Sequence, residues 1–444
     1  MLFLSSFVLV FATVGKQWGS SISEFLFANR TLKLIPTSMA IGSHWIWAIA
    51  LFVGPATAFN WGWIGLAWFT IPNALTLVIA GYLIYKIRDR FPDGYSLTSY
   101  VKENFSSRIG ALFQFEFVVV SFAALLLAFT AITKLWGFSG LGSVIDPVYA
   151  SLAVGVLTLL FTAKGGIRTS IFTGSVQAVL WTIFLIIAGY ALITTDLPIY
   201  GTGARQLETV FHTGFLTNFA IAYLIAMTVS GASHGHLWQK GFSMEKSNIL
   251  PAFGMAAVFF AIFLFVILSL AMFAQTNGLP VKAPDTALLV ATSTLLGAGA
   301  LLYFSVIFIG QTSTVIDSAM NYFSSLVGME WLKTDKVWVT RLIMVAFLLV
   351  AWMISWLKLE IWTIMLLMSS VRTVMFVPLL LHVFKFDLKE ATVFWTSAVT
   401  IVISVYFAVT AKLNAVEINN MYAMLIAIGL PTLVYLGSRV LARK

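Results

Sequence analysis

Long apolar runs separated by short polar loops dominate the chain. Runs of roughly 17 residues or more, with two slightly shorter ones admitted, read as membrane-spanning helices. Thirteen such spans are predicted, near 2–15, 34–54, 60–85, 109–136, 148–163, 169–194, 216–238, 247–275, 298–327, 338–357, 360–384, 391–410 and 421–438. Two of them carry an oddity. The run containing Ser38 to Phe52 (SMAIGSHWIWAIALF) holds Gly42, Ser43 and His44 in its middle, and Thr228 to His236 (TVSGASHGH) repeats that character about five spans later. Backbone groups left unpaired in hydrocarbon are costly, so a spanning helix is interrupted only where protein or a water-filled cavity covers the gap. A pair of interrupted spans in corresponding halves is the sequence mark of a secondary transporter binding its cargo at the midplane.

Composition fits this picture: 60% of residues are hydrophobic, 10% are charged, and the mean hydropathy is +0.96. The chain reads as one polytopic, all-α membrane domain over 1–444 with no soluble domain, in the cell membrane. Leu2 to Val14 lacks the flanks of a cleavable signal peptide, and Thr286 opens an apolar lead-in that is expected to form a short surface helix. There is no cysteine, hence no disulfide, thiolate metal site or Cys nucleophile, and the five His residues form no cluster typical of a metalloenzyme. His234 and His236 lie two apart but have no third ligand in sequence reach. No cofactor, nucleic-acid partner or obligate protein partner is expected, and no enzymatic constellation is present.

The net charge of +9 is explained by placement. With the N-terminus outside, twenty Lys and Arg residues fall in inner loops, among them Lys240 and Lys246, against five outside. This bias predicts an N-out, C-in orientation.

Read together, FLFANRTL (Phe25 to Leu32), PDGYSLTSYV (Pro92 to Val101), KGGIRTSIFTGSVQAVLW (Lys164 to Trp181), HLWQKGF (His236 to Phe242) and STVIDSAMNYFSSLV (Ser313 to Val327) resemble, in order and spacing, signature stretches of the sodium/solute symporter family. SHWIWAIAL (Ser43 to Leu51) is most similar to its urea-transporting branch. The resemblance implies the leucine-transporter fold: an extra N-terminal helix at 2–15, inverted repeats of five helices at 34–194 and 216–384, and two C-terminal helices at 391–438. It also implies a sodium site made by the carbonyls of Ser43 and Ile46 with Gly310, Ser313 and Thr314. Helical spacing independently places 310, 313 and 314 on one face. The alternative is that these hydroxyls bond to the preceding turn, as Ser and Thr commonly do in helices. The family's S-T-x-D-S is S-T-V-I-D-S here, so Gln311 or Val315 could take a neighbour's place.

Where the family has T-D-x-x-Q, this chain has Thr173-Gly174-Ser175-Val176-Gln177. The missing carboxylate leaves proton-coupled or uncoupled transport open beside sodium coupling. Trp45 and Trp47 flank the first break and could stack on a small polar solute, with His44 beside them. Positions where sugar carriers of the family place Asn and Tyr fall on Met227 and Ser230, which argues against a sugar. Three charges lie inside spans: Glu116, Asp317 and Arg372. Each should face the bundle interior, and the depths of Asp317 and Arg372, roughly 15 and 18 Å at the helical rise, permit them to pair. Gly165-Gly166 reads as a tight turn.

The function expected is therefore sodium-coupled import of a small polar solute by alternating access. The competitors are a proton-coupled or uncoupled urea or amine carrier of the same fold, and a non-transporting membrane sensor, to which the lack of a signalling segment after Lys444 gives no support.

Overall fold

The structure is a computed structural model that describes residues 21–92, 94, 96–139, 141–200, 213–386 and 388–442. The expected first span, 2–15, lies outside these residues. Helices account for nearly all of the described chain, with one isolated parallel bridge between Leu32 and Met244.

The chain enters through α1 (Ile22–Phe27), α2 (Leu34–His44) and α3 (Gly54–Arg90). It continues through α4 (Leu97–Asn104), α5 (Ser107–Phe138) and α6 (Pro147–Thr194). The second half holds α7 (Ile221–Thr228), α8 (Gly235–Phe242), α9 (Lys246–Thr276), α10 (Ala287–Ser325), α11 (Val337–Ser355) and α12 (Ile361–Val383), then α13 (Glu390–Leu413) and α14 (Asn419–Ala442). Among the described residues nine helices are long and apolar enough to cross a membrane, with Leu216–Thr228 a shorter apolar one. The difference between these nine helices and the thirteen expected spans arises partly at glycines. Gly62 and Gly166 sit at φ +58° and +57°, a region that L side chains rarely adopt, and two helices run on through each kink without a loop. A Cβ at Gly65 would lie 2.3 Å from the Thr57 carbonyl, so the chain folds back on itself there.

The lead-in before 298 is helical, as expected, and packs one face against the protein. It runs from Ala287 to a kink at Gly297, and Ala287, Leu288, Leu289, Ala291 and Thr292 are buried. Large apolar side chains cover the outside, Ile193, Leu433 and Val402 among them, which suits a lipid solvent. Inside, α9 packs on α3 and α2, α10 on α6 and α5, and α12 on α5 and α13.

Four of the quoted motifs meet at one end of the bundle. Arg168, just past the Gly166 kink, forms an ion pair with Glu24 of α1 and donates to the carbonyl of Ala28 at 3.1 Å and to the Thr31 hydroxyl at 2.8 Å. A Cβ at Gly166 would stand 2.0 Å from the Phe25 carbonyl, so this position suits glycine twice over. Gln239 of α8 donates to the Leu26 carbonyl at 2.7 Å. Arg30 donates to the carbonyls of Pro92 and Gly94 at 2.6 and 3.0 Å, and Ser96 and Thr98 hold the buried Glu330.

Candidate functional site

Both suspect stretches are broken helices. After His44 the backbone makes an irregular turn over 45–47 before resuming as helix, with a π-helical turn at Ile49–Val53. The counterpart ends at Thr228, passes through a 3-10 turn at Ser230–Ser233, becomes extended at His234 and resumes as α8. Neither gap is open to lipid, since residues 40–52 and 229–244 are buried throughout. Polar partners fill them: the Thr76 hydroxyl accepts from the Gly231 amide at 2.6 Å, and the Trp238 indole donates to the Ala232 carbonyl at 2.6 Å.

The breaks face each other. The His234 ring sits edge-on to Trp45 at 5.0 Å and to Trp47 at 4.6 Å, and His236 approaches His44 at 5.2 Å. Between them lies a cavity of about 20 Å³, room for one water. Trp45, Trp47, Met227 and Ser230, all foreseen, line it with Asn73, His234 and Arg372. His44, grouped with them in the sequence reading, instead turns away from this cavity toward Lys240, whose ammonium is 2.8 Å from its Nδ1.

The expected sodium ligands gather where α2, α6 and α10 touch, already bonded within the protein. Ser313 donates to the Ile309 carbonyl at 3.0 Å and Thr314 to the Gln311 carbonyl at 2.7 Å, which is the preceding-turn alternative. The Ser43 carbonyl accepts from the Gln311 amide at 2.6 Å, and the Ser43 hydroxyl donates to the Gly174 carbonyl at 2.8 Å. Ile46 lies slightly apart, its amide on the Ser43 carbonyl and its side chain at a small cavity with Thr312 and Val315. A Cβ at Gly310 would stand 2.1 Å from the Gln177 amide, and one at Gly174 would press on Ala40 at 2.9 Å. The absent carboxylate at 174 thus has a steric reason: α2 passes too close for a side chain.

The intramembrane charges do not pair as their depths allowed. Asp317 accepts from Ser170 at 2.7 Å, Thr173 at 2.9 Å and Ser318 at 3.1 Å, with His44 Nε2 at 3.8 Å. Arg372, fully buried, donates to the Ala226 carbonyl at 3.0 Å beside the second break, and its Nε lacks a partner. The Glu116 carboxylate is buried, and neither of its oxygens has a hydrogen-bond partner. Lys240 is the residue that sequence reasoning missed. Counted among inner-loop cations, it is 1% exposed within α8, and its i, i+4 spacing from His236 was the available signal. Among the described residues no cluster of His, Asp and Glu could hold a metal ion.

This geometry has known counterparts. A solved Na+-coupled sialic acid symporter, in a substrate-bound outward-open state, matches with a TM-score of 0.67 over 98% of this chain and 95% of its own, at 16% identity. The fold is that of a membrane transporter. A manganese transporter of Eremococcus coleocola matches with a TM-score of 0.52 over 90% of this chain and 94% of its own, at 12% identity. In sequence, the chain is 31% identical over 180 residues to the spermidine transporter DUR31 of Candida albicans. That match covers 38% of this chain and about a third (32%) of the relative's length. No family model matches the chain.

Proposed function

We propose that the protein is a secondary active transporter that imports a small polar solute by alternating access, with the solute held between the two broken helices. The observation that carries this reading is that the two breaks face each other, Trp45 and Trp47 of one against Ser230 and His234 of the other, around a cavity that must widen from the size of one water to admit a solute. On this reading the chain sits N-out and C-in in the cell membrane, with inverted repeats at 34–194 and 216–384 and two further helices at 391–438. The symporter resemblance suggests sodium as coupling ion, at the Ser43, Ile46, Gly310, Ser313 and Thr314 position, with proton-coupled or uncoupled transport as the alternative.

The lining favours an uncharged amide-like solute such as urea. Indole rings supply flat apolar walls, Asn73 and Ser230 supply donors and acceptors, and no carboxylate lines the cavity, whereas Arg372 does. A polyamine is the second reading, favoured by the spermidine-transporting relative and by Glu360, Asp285 and Glu417 around the wider cavities beyond.

Reconstituted protein exchanging labelled urea or labelled spermidine across vesicles in symmetric buffer tests both. Urea exchange that falls about fivefold with Trp47→Ala is the expected outcome, since loss of a stacked indole removes roughly 1 kcal/mol. Exchange of neither solute, or exchange untouched by Trp47→Ala, contradicts the reading.

A further inference from the structure

Two nitrogen-bearing side chains of the protein itself occupy the polar ground beside the breaks. The first is Gln311. Its Oε1 accepts from the Trp181 indole at 3.1 Å, and because an indole is a donor only, the amide orientation is fixed. Its NH2 therefore points at the Ser43 carbonyl, 2.6 Å away, and at the Thr314 hydroxyl, 3.0 Å away. Two of the oxygens that a sodium ion would need are thus held by amide hydrogens, whose partial charge repels a cation.

The second is Lys240. Its ammonium stands 2.8 Å from His44 Nδ1, which also lies 3.2 Å from the Ala40 carbonyl, while His44 Nε2 faces Asp317 at 3.8 Å. Lys240 and Asp317 are both fully enclosed, 1% and 0% exposed, with a neutral ring between them and Ser318 within reach of both, at 3.4 and 3.1 Å. His44 and Lys240 stand on the broken helices α2 and α8, while Asp317 and its hydroxyl donors Ser170 and Thr173 stand on α10 and α6. The other titratable group facing Lys240 is His236 of the same helix. Of the other helices that pack on α8, α1 brings Glu24, which Arg168 holds, and α3 brings Asp89, which Lys246 holds.

From this geometry we infer that Lys240, His44 and Asp317 form the coupling site, and that its ligand is a proton rather than sodium. The inference rests on the transport reading above and names its driving ion. One proton from water adds to the Asp317 carboxylate, giving the neutral acid, and leaves as a proton to water on the opposite side. While Asp317 is ionised, its attraction to Lys240 ties the broken helices to α10 and α6. Protonation removes that attraction and frees them to move. Neutralising a buried charge opposite a retained one is the differential interaction that coupling requires.

Vesicles holding the reconstituted protein and labelled urea or labelled spermidine separate this from the reading beneath it. Exchange in symmetric buffer reports transport; accumulation against a gradient reports coupling. Expected is accumulation driven by an inward proton gradient and unchanged when choline replaces sodium. Asp317→Asn, and separately the charge-free pair Lys240→Met with Asp317→Asn, should lower the accumulation ratio about tenfold and abolish its pH dependence. A readout that needs no solute is the melting temperature of purified protein in sodium chloride against choline chloride. It should not differ for the natural chain and should rise in sodium for Gln311→Ala, which uncovers the Ser43 carbonyl. Accumulation that needs sodium and ignores the proton gradient, or sodium stabilisation of the natural chain, would overturn the inference while leaving the transport reading intact.

Discussion

The two ends of the bundle are built differently. Toward Glu360 the protein is open. Cavities of about 610 and 410 Å³ share Trp61, Phe219, Glu360 and Trp362. A stack of rings leads from them toward the centre, with Phe219 on Trp362 at 5.3 Å, Tyr223 on Phe219 at 5.0 Å and Phe69 on Tyr223 at 4.7 Å. Tyr223 then bonds to Asn73 at the central cavity. Toward Arg168 the protein is shut by charge pairs and backbone bonds that join loops distant in sequence. The contrast teaches how such a machine divides its chemistry. Stacked rings on the open side part without leaving a buried polar group unpaired. The closed side uses bonds whose loss leaves donors and acceptors orphaned, so it is held firmly until something offsets that cost.

The largest expected effect comes from the closed end. Gly166→Ala puts a Cβ against the Phe25 carbonyl at a positive φ, and should lower the melting temperature far more than Gly254→Ala, whose Cβ would meet nothing within 4 Å. Equal shifts would mean that the Gly166 contact does not close this end. Arg168→Ala comes next. It strands Glu24, whose side chain is 8% exposed, and should cost about 1–3 kcal/mol in denaturant unfolding; a loss no greater than that of an exposed pair would blur the distinction between the ends. At the open end, Trp362→Ala removes one stack and should weaken solute competition by only about three- to tenfold, with little change in stability. The smallest effect is that of Glu360→Gln, whose exposed pair with Lys412 is worth roughly 0–1 kcal/mol or less, so thermal stability should hardly move.

Much of this was legible in the chain. Gly42 to His44 and Ser230 to His234 betrayed the breaks because a glycine-rich polar interval inside an apolar run has few other uses. Gly165-Gly166 marked its turn for a related reason. The number of continuous helices was less legible, because the reversals at Gly62 and Gly166 occur without intervening loop residues. Charges were the weakest point. Depth along a helix gave Asp317 and Arg372 the chance to pair, but azimuth decides, and it sends Asp317 toward Ser170 and Thr173 and Arg372 toward Ala226. Lys240 sits two residues beyond the apolar run that ends at Trp238, where hydropathy cannot tell a loop from the continuation of a broken helix.

The central claim is that a site between the breaks is reached from one side of the membrane at a time. The chain contains no cysteine, so Ser230→Cys introduces a single thiol at the cavity. In oriented vesicles without a gradient, a membrane-impermeant thiol reagent should label it from the Glu360 side about tenfold faster than from the Arg168 side, and saturating urea should slow that labelling. Equal labelling from both sides, or none from the Glu360 side, would contradict the account.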